Sequence, residues 1–250
     1  MTSKGKYVHL NNHEGQSLIG YLSNSNIGPR RYCFRLITSG RVSINDLVVG
    51  KASTPISPED IVSVDGKVIS FVDRKIYLKI NKPKGVISTT SDDLGRPTIL
   101  DLLPPEFKES RLYPIGRLDI NTTGLLLITN DGILFNRLTH PRFQVEKEYI
   151  VGLTGKLSAS QKNALEKGIL INGEKTAPAK IKLLHNQGDI HYSVIIYEGK
   201  KRQIRLIFMA AGLKVVSITR VRIHKLILGT LGLGKVEKLT KDELKSLLGN

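Results

Sequence analysis

Hydrophobic positions along this chain follow two spacings in turn. Leu18, Tyr21 and Leu22 fall on one side of the segment Ser17 to Ile27, which predicts a short helix. A Gly28-Pro29 turn opens a second helix over 30–38, where Cys33, Leu36 and Ile37 form the inner face. Pro29 stands near its first position and Gly40 just past its end. Beyond Gly40 the period drops to two. Residues 41–45 and 47–49 predict strands about an Asn45-Asp46 turn, and 61–64 runs into a second hairpin signal at Asp65-Gly66. Ile76 to Ser88 reads as strand, basic turn, strand, and Leu125 to Ile128 as a short buried strand. Val145 to Val151 alternates, so Lys147 and Tyr149 share a face. Helices at 134–138 and 158–168 and strands at 176–184 and 191–197 follow. Ile204, Ile207, Phe208 and Ala211 then line up at helical spacing, ahead of a strand over 215–223. Thr240-Lys241-Asp242-Glu243 is a capping box for a last helix with Leu244, Leu247 and Leu248 inward. Short strands mixed with separate helices predict an α+β chain.

At 250 residues the chain has room for one large domain or two smaller ones. Its pattern predicts a flexible N-terminus at residues 1–15, a small domain at 16–72, a linker at 73–76 and a larger domain at 77–250. No apolar run reaches the length of a membrane span, and the first residues lack an apolar signal segment. Cys33 is the single cysteine, which excludes an internal disulfide and suits a reducing cytoplasm. Charge changes the picture most. Thirty-eight Lys and Arg against 22 Asp and Glu give +16, an excess that favours a polyanionic partner through counterion release. A membrane surface is a weaker match, because no long basic amphipathic helix is present.

Chemistry concentrates between Tyr113 and Thr129. Asp119 stands on a small-residue turn, two residues after Arg117 and just ahead of the buried strand. A lone turn aspartate is commonly a backbone cap. A calcium loop starts similarly, with Asp119, Asn121, Thr123 and Gly124, but its twelfth position is Asn130 where a bidentate glutamate is needed. The remaining reading is a carboxylate held rigidly at a strand mouth. Arg205, in the first turn of its helix and off the apolar face, is free to point into a cleft. His140, ahead of Pro141, reads as a turn residue. Gly229, Gly232 and Gly234 lack dinucleotide spacing, and there is no phosphate-binding loop or zinc ligand set. A glycosidase would need a second carboxylate that has no candidate.

Gly116-Arg117-Leu118-Asp119-x-x-Thr122-x-Gly124-Leu125-Leu126, followed by Thr129-Asn130-Asp131-Gly132, resembles the catalytic motif of pseudouridine synthases of the ribosomal RNA branch. The Asn81-Lys82-Pro83-x-Gly85 turn resembles the same branch. Residues 16–72 resemble a ribosomal-protein-S-four-type (αL) RNA-binding domain, best at Pro29-Arg30-Arg31 and Gly40-Arg41-Val42-x-Ile44-Asn45. The resemblance implies that the small domain precedes a mixed, mostly antiparallel sheet flanked by helices. It implies Asp119 as the catalytic aspartate, attacking the ribose or removing a sugar proton, with Arg205 paired to it. Tyr149 would stack on the base, and Arg117 would wedge the RNA open or bind a phosphate. Arg30, Arg31, Arg35, Arg41, Lys147, Lys200, Lys201 and Arg202 are the expected RNA contacts. No cofactor and no metal are implied, because the isomerisation involves no net redox change. The expected partner is ribosomal RNA or a pre-ribosomal particle, met by a cytoplasmic monomer. Residues Gly173 to Ala179 look more like the large-subunit enzymes. A non-catalytic RNA-binding assembly factor is the rival reading. Three departures from the pattern are Pro29 for the usual cap serine, Asn45-Asp46 for Asn-Gly and Ile223-His224 for Ile-Gly.

Overall fold

Residues 16–70, 75–171, 173–185 and 190–248 are described in a computed structural model of the chain. The chain separates into two compact units, with the division after Arg74. The expected flexible stretch at 1–15 and the start of the expected linker, 73–74, lie outside the described residues.

The small unit holds β1 (Gln16–Ser17), α1 (Leu18–Asn24), α2 (Arg30–Thr38), β2 (Val42–Ile44), β3 (Leu47–Val48), β4 (Pro55–Ile56), β5 (Val62–Val64) and β6 (Lys67–Val68). Leu18, Tyr21 and Leu22 meet Cys33, Leu36 and Ile37 in one core, closed by Val42, Ile56 and Val62. The first helix stops short of Ile27 because Asn26 turns left-handed and the Ile27 amide bonds back to the Leu22 carbonyl at 3.2 Å. The sheet runs β3-β2-β5-β6. Asn45 (φ 49°) and Asp46 (φ 66°) both take the left-handed conformation that a two-residue hairpin requires. Aspartate and asparagine tolerate it. Asn45 is fixed further, donating to Asp60 at 2.8 Å and accepting from the Ile61 amide at 3.0 Å.

The larger unit contains β7 (Tyr77–Lys82), α3 (Pro105–Lys108), β8 (Tyr113–Ile115), β9 (Thr123–Thr129), α4 (Gly132–Thr139), β10 (Lys147–Leu153), α5 (Ala159–Lys167), β11 (Leu170–Ile171) and β12 (Glu174–Lys175). Then come β13 (Lys180–His185), β14 (Ile190–Ile196), α6 (Gln203–Ala210), β15 (Val215–Ile223), β16 (Leu226–Ile227), β17 (Val236–Lys238) and α7 (Lys241–Leu248). Nine strands form one sheet, ordered β13-β14-β10-β15-β9-β7-β17, with β8 added to β9 and β16 to β15. Every ladder is antiparallel except β15 with β9, where only Thr219–Thr123 and Arg220–Gly124 are paired. The sheet is therefore two antiparallel halves joined by one short parallel seam. Leu126 and Ile128 face the core shared with Tyr149, Val151, Ile207 and Phe208. Leu125 and Leu127 face the opposite core, with Leu134, Leu138 and Leu247. Burial on both faces explains the unbroken apolar run of β9.

Two further expectations change. No strand follows the basic turn after β7; beyond Gly85 (φ 83°) only an isolated bridge joins Ile87 to Thr98. The strand expected from residue 176 begins at Lys180, because Pro178 has no amide for the ladder. His224 stands at φ 52°, a left-handed turn position that glycine fills without strain, and its carbonyl accepts from Arg222.

The seam is tight. At Gly124 (φ 105°) an added Cβ would lie 2.2 Å from the Arg220 carbonyl oxygen and 2.6 Å from its amide nitrogen, both rigid backbone atoms. Gly124→Ala is expected to destabilise the protein by more than about 3 kcal/mol, read as a fall in melting temperature. The control Gly50→Ala, with nothing within 4 Å, should stay within about 0.5 kcal/mol of the parent.

Candidate active site

The loop between β8 and β9 carries Asp119. Leu118 is buried, which turns its neighbours Arg117 and Asp119 outward to solvent. Ser88 clamps Leu118 at both backbone groups: its hydroxyl donates to the carbonyl at 3.0 Å and accepts from the amide at 3.1 Å. The Thr122 amide closes the turn onto the Asp119 carbonyl at 3.0 Å. Below the loop lies Lys82, fully buried, donating from Nζ to the carbonyls of Pro83 at 2.8 Å and Ile120 at 3.3 Å. The Ile120 carbonyl also accepts the Gly85 amide at 3.0 Å. Burial pushes the Lys82 ammonium down to about 8, and the charge of Asp119 works in the opposite direction.

A cleft opens to solvent beside this loop. Its lining joins Arg117, Asp119 and Thr122 to Tyr149 and Ile218 of the sheet and to Lys200, Arg202 and Arg205 around the start of α6. The structure thus brings Asp119, Tyr149, Arg205 and Arg117 to one place. Asp119 is the sole carboxylate among the lining residues. Glu198 shapes the turn into α6, accepting from Gln203 at 2.6 Å and from the Ala177 amide at 2.9 Å. Arg202, at φ 55°, takes the left-handed cap position there.

Several expected contacts are differently engaged. Asp119 and Arg205 border the same cleft, but no hydrogen bond or ion pair joins them. Asp119 is exposed and Arg205 half-buried, so water solvates both charges and burial does not force them together. Lys147 points inward, donating to the Val145 carbonyl at 3.1 Å; burial, with help from the Arg220 charge, pushes its ammonium down to about 8. Arg41 is held by Asp65, with Nε to carboxylate at 2.8 Å, and Lys200 by Glu174 at 2.8 Å. Arg30, Arg31 and Arg35 are exposed and border a groove on the small unit with the half-exposed Phe34. Lys201 is exposed outside the cleft lining. His140 accepts from the Arg142 amide at 3.2 Å, capping the turn that follows.

Sequence reasoning missed Lys82, Ser88 and Arg220. For two of them a signal existed. Lys82 continues the inward alternation of Leu78 and Ile80, and Arg220 that of Ile218, so strand period alone places both cations inside.

A family model described as RNA pseudouridylate synthase matches residues 76–210, and an S4 domain model matches residues 21–62. The molecule is thus an RNA-modifying isomerase with an RNA-binding module ahead of its enzyme domain. The chain belongs to the RNA pseudouridylate synthase family. It is 37% identical over 231 residues to the ribosomal large subunit pseudouridine synthase B of Bacillus subtilis, covering 90% of this chain and 93% of that one. An uncharacterized RNA pseudouridine synthase of Aquifex aeolicus is 36% identical, covering 91% of each chain. A solved pseudouridylate synthase structure superimposes with a TM-score of 0.66 at 31% identity, over 92% of this chain and 99% of that one.

The buried amine at Lys147 gives a pH signature. Below pH 8 the folded protein carries a desolvated ammonium that the unfolded chain hydrates freely. Between about 8 and the ordinary lysine value of 10.5 the folded state sheds that proton first, so the penalty is relieved as pH rises. Lys147→Met should therefore be more stable relative to wild type at pH 7 than at pH 10, measured by denaturant melts. A gap that does not change with pH would show that the amine is well solvated.

Proposed function

We propose that the protein converts a specific uridine of ribosomal RNA, in the large subunit, to pseudouridine. The observation that carries this reading is Asp119 as the single carboxylate in a cleft it shares with Tyr149, Arg205 and Arg117. The relative named as a large-subunit synthase, matched over nearly its full length, supports the substrate.

The reaction breaks the bond between uracil N1 and ribose C1′, the electron pair leaving with the base. The base turns, C5 bonds to C1′, the C5 hydrogen leaves as a proton, and N1 takes one up. Atoms and oxidation state balance without a cofactor. Asp119 serves either as nucleophile at C1′ or as base towards the sugar 2′ hydrogen. A uridine reaches it only when drawn out of its stack, with Tyr149 as the platform for the loose base and exposed Arg117 as the wedge. Arg205 and Arg202 face the polyanionic backbone. The small unit docks RNA through Arg30, Arg31 and Arg35 and raises the local substrate concentration. A cytoplasmic monomer suffices for this chemistry, since every assigned residue lies on one chain. No helix among the described residues is long and apolar enough to cross a membrane.

With an unmodified large-subunit RNA transcript, wild type should form pseudouridine at a discrete site. Asp119→Asn should form none, while binding RNA within a few-fold of wild type. Pseudouridine produced by that variant would remove Asp119 from the chemical step, and a wild type that forms none would favour the assembly-factor reading. Exchanging Arg30, Arg31 and Arg35 together for glutamine should lower the slope of log affinity against log salt by about 2, at roughly 0.7 per single-strand phosphate contact. Arg41→Gln should hardly change the slope, because Asp65 already neutralises that guanidinium. An unaltered slope in the triple variant would show that the α2 arginines touch no phosphate.

A further inference from the structure

Arg220 is the one arginine among the buried described residues, at 2% exposure. Its Nε donates to the Leu125 carbonyl at 2.7 Å. Its Nη2, equally shut off from solvent, has no hydrogen-bond partner among the described residues. The guanidinium carbon lies 6.0 Å from the centre of the Tyr149 ring, and the charge felt from Lys147 is of the same sign. A desolvated guanidinium with no carboxylate opposes folding, and a methionine of similar length would fill the space without that penalty. Stability alone does not account for the residue.

Topology supplies a reason. Asp119 leads into β9 and Tyr149 stands on β10, but these strands are not neighbours; β15 separates them. Residue 220 is the one position on β15 paired on one side with Gly124 and on the other with Tyr149. Its side chain then bonds to β9 at Leu125 and lies beside the Tyr149 ring. We propose that Arg220 is a positioning residue for the isomerisation, holding the base platform and the catalytic loop in one fixed relation. The inference rests on the roles assigned above to Asp119 and Tyr149. The base must detach through N1, turn, and re-bond through C5 at one sugar carbon. Platform and carboxylate must therefore keep their separation through two successive geometries, and a displacement of about 1 Å is enough to lose about 10²-fold in rate.

The test compares wild type, Arg220→Met and Arg220→Lys in multiple-turnover kinetics on unmodified ribosomal RNA transcripts. Near-UV circular dichroism gives the folded fraction to which each kcat is referred. Arg220→Met should lose about 100-fold in kcat, with KM for RNA within threefold of wild type. Arg220→Lys, which keeps the charge but has no planar fork to span Leu125 and Tyr149, should lose an intermediate amount. In a Tyr149→Leu background the Arg220→Met loss should shrink to less than threefold, because the two act through one contact. If Arg220→Met does not fold, Arg220→Lys decides on the same split of kcat against KM. A folded variant with wild-type kcat, a loss confined to KM, or full additivity with Tyr149→Leu overturns the proposal. An inactive wild type overturns the assigned reaction, and this inference with it.

Discussion

Two residue pairs hold the catalytic domain together at its centre. Thr219 with Thr123 and Arg220 with Gly124 are the whole parallel contact between the sheet's antiparallel halves. The backbones come so close there that position 124 has no room for a side chain. Such a short seam would slide if it relied on ladder hydrogen bonds alone. It is reinforced from the side by the Thr123 and Thr219 hydroxyls, 2.8 Å apart, and by the bond from Arg220 to Leu125. The loop carrying Asp119 leads directly into this seam. The loop is thus anchored on a ladder of two residue pairs, as short as any in the sheet.

The charge distribution has two layers. Lys82, Lys147 and Arg220 are desolvated cations in the interior of the domain, and of these Lys82 feels the charge of the exposed Asp119. Outside them, the surface cations divide into those already held by carboxylates, such as Arg41, Arg96 and Lys200, and those that are not, such as Arg30, Arg31, Arg35, Arg117, Arg202 and Arg205. Only the second group has its full charge to offer a phosphate backbone. The count of 38 Lys and Arg therefore overstates the number of cations free to meet RNA.

Much of this was legible from residue order. The bounds of α2, the buried faces of both N-terminal helices, the double-faced burial of β9 and the start of α6 follow from spacing alone, because each is set by local periodicity. The motif from Gly116 to Leu126 pointed to Asp119, and Tyr149 and Arg205 proved to share its cleft. Long-range partners were less legible. Glu174 on Lys200 and Asp65 on Arg41 are separated by 26 and 24 residues, and no local pattern reports them. Ser88, 30 residues from the Leu118 it clamps, is likewise invisible without the fold. The missing strand after Lys82 reflects a tertiary override: those residues fold against the loop that carries Asp119 instead of extending the sheet.

The bond from Arg220 to Leu125 spans 95 residues of chain. A polypeptide still being translated possesses Asp119 long before it possesses β15, and until that strand emerges neither the parallel seam nor the Arg220 bond to Leu125 can form. The seam at the centre of the sheet therefore closes late, after every strand from β9 to β14 has been made.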